Sequence, residues 1–289
     1  MGHRDCGRQP GRGPGLKRLF AAVACACLTG PVSHANPMVS VVDDTGSRVQ
    51  LERPAQRIVT LSPHATELVV AAGAAPALVA AASGLEPAPE LAHLPRIGGP
   101  GGIDRERLLA LRPDLVIAWQ SGNRASDLDW IARTGIAVFR SEPRTLADIV
   151  TALRSVGRLA GTSETAAAAA TRFAAAVDTP CTHLPPLRAY VAVWERPALS
   201  LGGRHWLNDV LRRAGFRNAL AEQDRGVMQV APEAALALAS LPRVSLIRRF
   251  DGSPQDRLAD LLSRPGPRLA EAVQTLCDRR MGNVAPGRR

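Results

Sequence analysis

Between Glu106 and Asn123 the chain reads ERLLALRPDLVIAWQSGN, and few architectures accept that order of segments. Leu108, Leu109 and Leu111 form a short apolar stripe at helical spacing. Pro113 stops that helix. Leu115–Ala118 then runs apolar without a polar break, as a strand covered on both faces does. Trp119 follows, where the strand leaves its sheet. Open α/β sheets bind ligands at such strand ends. Aromatics are only 3% of the 289 residues, so a Trp at that position is a candidate contact residue.

The same alternation recurs along the chain. Ser40–Leu51 reads as a β-hairpin turning at Asp44-Thr45-Gly46. Arg57–Leu61, Leu78–Ala82 and Ala137–Phe139 read as strands, Ala65–Ala72 as a helix ended by Gly73, and Gly98–Gly102 as a loop. Residues 145–178 break the rhythm with two helices. The second is a long Ala run capped at Thr162 or Ser163, and its place between two α/β halves suggests a connecting rod. The rhythm then resumes. Ala189–Trp194 is a strand ending in a second Trp, and a Gly202-Gly203 loop leads into a helix at Leu207–Ala214. Glu233–Leu238 is a helix, Val244–Ile247 a strand and Leu269–Leu276 a final helix, with Pro-, Gly- and Arg-rich sequence at 252–268. Strands alternating with helices imply α/β lobes with small parallel sheets. The expected division is 36–144 for the first lobe, 145–180 for the helical connection and 181–289 for the second.

Residues 1–35 are set apart. Arg4, Arg8, Arg12, Lys17 and Arg18 precede a short apolar run, Leu19–Leu28, and Ser33-His34-Ala35 supplies small residues for cleavage. This is the pattern of a secretory signal peptide. The run is too short to span a bilayer. Cys25 and Cys27 raise lipidation as an alternative, but Ala22-Val23-Ala24 lacks the large aliphatic residue usual before a lipidated cysteine. Cys181 and Cys277 remain in the mature chain. An oxidising compartment allows a bridge between them, and two free buried thiols are the alternative. The net charge of +10 includes no basic run interleaved with aromatics, which argues against nucleic acid as a partner.

The two halves also repeat. Glu106–Leu111 and Glu233–Leu238 share E-x-x-L-A-L, each followed by Pro (Pro113, Pro242) and an apolar strand. Asp104 is a natural N-cap for the first helix and Pro232 a first-turn residue for the second. Both glutamates therefore fall in a first helical turn, where the helix dipole favours a carboxylate by about 0.3–1 kcal/mol. Steadying its own helix is the plain role of each. Their matched placement suggests a shared external one.

With these segments in hand, the chain resembles the periplasmic ligand-binding proteins of ABC importers that carry a helical backbone between two lobes. Within that family the pattern is most similar to the vitamin B12-binding members. The resemblance rests on RIVTLSPHATELVVAAG (Arg57–Gly73), on Glu106–Asn123, on the helix from Glu233 and on SRPGPRL (Ser263–Leu269). It implies two α/β lobes joined by a long backbone helix, with the ligand cleft between them. It also implies a periplasmic, monomeric receptor that passes a small molecule to permease subunits of an ABC transporter. Glu106 and Glu233 would be the permease-docking acids, meeting arginines through directional, charge-assisted pairs. The cargo implied is a corrinoid. Haem or a ferric siderophore is the alternative within the same fold. Cobalamin or a related chelate would be cargo, so no resident cofactor or metal site is expected.

The cleft aromatics of that family match only in part. Trp119 stands at one such position, whereas others fall on Ala82, Pro100, Leu199 and Val227. Trp194, at the matching strand end of the second lobe, is expected to face Trp119, with Trp206 a further candidate. His64 follows the first strand and His205 the Gly202-Gly203 loop, and both could face the cleft, where an imidazole could ligate cobalt or haem iron. An ordinary hydrogen-bonded loop His is the alternative for each. Tyr190, the only Tyr, falls inside a strand. The second lobe looks shortened after Ile247. A secreted α/β enzyme is a third reading, but the chain has no G-x-S-x-G elbow, H-E-x-x-H or P-loop.

Overall fold

Short apolar strands alternating with helices build two small parallel sheets, and a helix pair fills the space between their cores. The computed structural model describes residues 38–83, 91–99 and 102–282. The expected signal peptide and Pro100 lie outside them. The chain enters through the hairpin β1 (Val39–Val42) and β2 (Arg48–Leu51). Asp43 Oδ1 accepts the N–H groups of Thr45 and Ser47, each at 2.9 Å, and Gly46 takes a φ of +84° to close the turn.

The first lobe follows. After β3 (Ile58–Thr60) comes α1 (Pro63–Ala71). Ser62 Oγ accepts the Ala65 N–H and Pro63 occupies the first helical turn, so the helix begins earlier than its apolar stripe alone suggests. β4 (Leu78–Ala80) is next. The glycine segment expected as a plain loop instead forms a small antiparallel ladder, β5 (Gly98–Gly99) with β6 (Gly102–Ile103). A Cβ on Gly98 would lie 2.4 Å from Gly102 O, so only glycine lets these backbones meet. Then come α2 (Arg105–Ala110), β7 (Leu115–Trp119), α3 (Ala125–Arg133) and β8 (Ala137–Ser141). The sheet order is β4-β3-β7-β8, all parallel. The sequence reading has no α3, because its apolar residues Leu128, Trp130 and Ile131 are too few to mark a helical period.

The connection is two helices, α4 (Leu146–Ala160) and α5 (Ser163–Ala176), packed side by side. Thr145 and Asp148 form a reciprocal capping box at the start of α4, and Gly161 ends it at a φ of +75°. A Cβ on Gly157 would sit 2.1 Å from Ala166 Cβ, so glycine permits the close crossing. The Ala-rich helix is therefore not a lone rod. Leu146, Ile149 and Leu153 of α4 pack into the second lobe's core, while Val156 and Leu159 pack into the first lobe's. One buried helix face thus belongs to both cores.

The second lobe contains β9 (Leu187–Ala192), β10 (Leu199–Leu201), α6 (Leu207–Arg213), β11 (Phe216–Asn218) and β12 (Val227–Gln229). After these come α7 (Pro232–Leu238), β13 (Arg243–Ser245), α8 (Pro254–Leu261) and α9 (Leu269–Arg280). Its parallel sheet has three strands, β11-β9-β13, and β10 pairs separately with β12. The segment read only as Pro-, Gly- and Arg-rich contains α8, which Ser253 caps and Leu258 and Leu261 anchor. Cys181 and Cys277 form a disulfide with Cα atoms 5.6 Å apart, which ties the entry to β9 onto α9.

The lobes also meet through charge. Arg264 Nη1 donates to Glu67 Oε1 of α1 at 2.9 Å, and Arg268 Nη1 stands 3.6 Å from the same oxygen while pairing within its own lobe with Asp260 at 2.9 Å. A Cβ on Gly266 would lie 2.6 Å from Glu67 Oε2, so the SRPGPRL segment runs tight against α1. Burial raises the Glu67 carboxyl against the opposing pull of Arg264 and Arg268.

Candidate ligand site

A cavity of about 550 Å³ opens between the lobes. Trp119, Ser121, Glu142 and Arg144 line it from the first lobe, and Arg204, His205 and Trp206 from the second. That volume falls in the range of small-molecule sites, which run roughly 300–1,000 Å³.

Local sequence fixes Trp119. Its backbone N–H donates to Asn123 Oδ1 at 2.7 Å, and Asn123 Nδ2 donates to Leu61 O at 2.9 Å. A Cβ on Gly122 would lie 2.0 Å from the indole Cε3, so the ring lies over a glycine that no other residue could replace without moving it. The His64 ring and the indole pack nearly perpendicular, at 88°, with centroids 5.2 Å apart. The W-x-x-G-N run is thus a mount for one aromatic plane.

The second lobe presents its aromatics on a loop held equally firmly. Gly202 N–H donates to Gly226 O and Gly203 N–H to Gln223 O, both at 2.7 Å. A Cβ on Gly203 would lie 2.3 Å from Ala221 O. Asn208 Nδ2 donates to the carbonyls of Gly202, Gly203 and His205, and Asn218 Nδ2 donates to Asn208 Oδ1 at 3.1 Å. His205 and Trp206 stack at a tilt, 5.0 Å between centroids. His205 Nδ1 accepts the Leu207 N–H at 3.2 Å, and burial lowers the imidazole's pKa to about 4.

The sequence from 58 to 275 matches the model of the periplasmic binding protein family. The chain belongs to that family. A vitamin B12-binding protein of Vibrio cholerae serotype O1 is 28% identical over 246 residues, 78% of this chain and 88% of the relative. The crystal structure of the periplasmic vitamin B12 binding protein of Vibrio cholerae superposes with a TM-score of 0.69 at 26% identity, covering 80% of this chain and 99% of that one. A periplasmic heme-binding protein solved with two hemes shares the fold, with a TM-score of 0.64 at 24% identity over 80% of this chain and 99% of its own.

In this periplasmic binding protein, three of the candidates from the sequence converge on the cavity: Trp119, His205 and Trp206. Trp194 does not. It is 56% exposed, donates Nε1–H to Arg196 O at 3.1 Å, and lines a separate pocket with Tyr190 and Ala192. The reason is strand alternation: residues 190, 192 and 194 share one face of β9 and its extension, and that face looks toward α7. Trp206, one loop later, is the aromatic that reaches the cleft. His64 is also not a lining residue. It is 1% exposed, with Nδ1 on Ser62 Oγ at 3.2 Å and Nε2 on Ser141 Oγ at 3.3 Å. Burial lowers its pKa to about 3, so it is a neutral core imidazole that supports Trp119 from behind.

Glu106 and Glu233 are each the second residue of their helices, α2 and α7, and both are exposed. Asp104 caps α2 through the Arg107 N–H at 2.9 Å, while α7 has Pro232 in its first turn. Sequence reasoning passed over Ser121, Glu142, Arg144 and Arg204, because isolated polar residues in loops carry no periodic signal. Glu142 accepts the Ser121 N–H at 3.0 Å, and its own N–H donates to Asp44 Oδ2 at 2.6 Å. Burial, reinforced by the charges of Asp148 and Asp43, raises Asp44 to about 6. Among the described residues no group of three or more His, Cys, Asp or Glu is arranged to hold a metal.

Proposed function

We propose that this protein captures a corrinoid of the vitamin B12 type in the interlobe cleft and delivers it to an ABC importer. The observation that carries the reading is one cavity with a mounted tryptophan from each lobe, Trp119 and Trp206, in a chain related over most of its length to vitamin B12-binding proteins. Two indole planes suit a broad, flat macrocycle, and each aromatic contact adds about 0.5–1.5 kcal/mol beyond burial. Arg144, Arg204 and Ser121 add donors for an acceptor-rich periphery. The protein binds and releases its cargo without chemistry.

In this reading residues 1–35 are a signal peptide removed on export, and the mature chain works in the periplasm as a monomer without a lipid anchor. Glu106 and Glu233 dock arginines of the two permease subunits. Replacing both with Ala leaves cargo affinity unchanged and abolishes stimulation of the permease's ATPase. Loss of cargo affinity in that variant refutes the docking assignment.

The cargo is tested by titrating purified protein with cyanocobalamin and with haemin while following Trp fluorescence. Saturable quenching by cyanocobalamin at micromolar concentration or below is expected. Tight binding of haemin with no response to cyanocobalamin transfers the site to the haem reading.

A further inference from the structure

We infer that His205 holds the cargo as a hydrogen-bond donor through Nε2–H and does not ligate its metal, so a chelate bound here keeps the coordination sphere it arrives with. The inference rests on the reading of the interlobe cavity as the cargo site. Its basis is the proton inventory of one ring. A backbone N–H is an obligate donor, so the His205 nitrogen that receives the Leu207 N–H must carry a lone pair. That nitrogen is Nδ1. A neutral imidazole with Nδ1 unprotonated carries its proton on Nε2. Metal ligation through Nε2 requires the opposite tautomer, which would set an Nδ1–H against the Leu207 N–H. Histidines that bind metals instead have the second nitrogen donating to an acceptor, and here it faces a donor.

Other features of the cleft point the same way. Burial keeps the ring neutral until about pH 4, so the tautomer argument holds at periplasmic pH. His64, the other imidazole near the cavity, is closed off between two hydroxyls. Tyr190 is buried in the pocket behind β9. The lining offers a large chelate donors at Arg144, at the Nε2–H of His205 and at Arg204, whose Nε and Nη2 already donate to Asp224, beside the single carboxylate of Glu142. Amide carbonyls, carboxylates or a phosphate at the edge of the ligand are the matching chemistry.

Two near-isosteres separate the roles of the two ring nitrogens. His205→Asn places an acceptor near Nδ1 and removes the distal donor. His205→Gln places an amide N–H near Nε2 and loses the acceptor. With cyanocobalamin as probe, the Asn variant should keep its melting temperature and bind about 5–30-fold more weakly, the loss of one or two hydrogen bonds' worth of discrimination. The Gln variant should melt a few degrees lower and bind within about threefold of wild type. Aquocobalamin, whose metal-bound water an imidazole displaces with a visible-band shift, should bind to wild type with its spectrum unshifted. An imidazole-ligated spectrum, with aquocobalamin or with haemin, that disappears in His205→Asn would overturn the inference. So would undiminished cyanocobalamin affinity in the Asn variant. Failure of wild type to bind either corrinoid would instead remove the corrinoid reading itself.

Discussion

The two lobes are built on one plan and anchored differently. In the first, α2 drives Leu108 fully into the core beneath a four-stranded sheet. In the second, the equivalent position of α7 is Ala235, and no residue of α7 is buried. Leu236, the counterpart of the half-exposed Leu109, is 77% exposed. A methyl at the anchoring position leaves a pocket of about 230 Å³ between α7 and the face of β9. The second lobe, with three parallel strands, leans on other devices: the Cys181–Cys277 disulfide and the Arg264–Glu67 and Arg268–Asp260 pairs. The lesson is that matched helix starts need not carry matched cores. A repeat can preserve where an exposed glutamate stands while the packing under it diverges.

The disulfide offers the largest test of this contrast. Its ends are 96 residues apart in sequence. In the chain-entropy model closing such a loop contributes roughly 4–5 kcal/mol. The Cys181→Ser/Cys277→Ser pair should lose about that much in denaturant unfolding, and hydrogen exchange should rise in β9, α6 and α9 before it rises in β3 and β7. Equal opening of both lobes would contradict the division of labour.

Next in size is the anchoring leucine. Leu108→Ala should cost about 2–5 kcal/mol, as buried leucine truncations do. Leu236→Ala, at the exposed site one residue after the equivalent position in the partner helix, should stay within about 0.5 kcal/mol. Comparable losses at both sites would mean that α7 is packed as α2 is.

A smaller effect depends on pH, and His64 of the first lobe shares it with His205 of the second, whose imidazole burial also lowers. His64 titrates near 6.5 when unfolded and at about 3 when folded. Its contribution is fully present above pH 6.5 and is lost as pH falls toward 3, because the unfolded chain takes up the proton first. By pH 5 that loss is about 2 kcal/mol. Asp44, raised to about 6, works in the opposite sense: its contribution is present below its unfolded value near 3.8 and lost as pH rises through 6. It is partly solvated, so the His64 slope should prevail. Chemical denaturation at pH 7 and pH 5 should show the loss in wild type and a flatter profile in His64→Gln.

Much of the first lobe was legible because its signals are periodic: apolar runs for β3 and β7, a stripe for α2, Pro and Gly at the breaks. α3 and α8 were not, since a handful of apolar residues among charges sets no clear period. The glycine ladder at Gly98 was not legible either, because a residue without a side chain does not announce what approaches it. In the cleft, Trp119 was readable from its strand end. The same rule does not place Trp194, since it locates a strand end but not the face a side chain takes, and Trp194 lines the pocket against α7. His64 looked like a loop residue, and only its two hydroxyl partners reveal a core imidazole. Trp206 and His205 were candidates from the sequence, but the Asn208 and Asn218 scaffold that holds their loop is a contact across β10 and β11 that local spacing does not encode.

The most direct measurement compares two tryptophans that the sequence treats alike. Equilibrium titration with cyanocobalamin should show Trp119→Ala weakened at least about tenfold, the loss of a stacking plane together with its buried area. Trp194→Ala should remain within about twofold of wild type. A cleft that loses its affinity with Trp194 and keeps it without Trp119 would contradict the account.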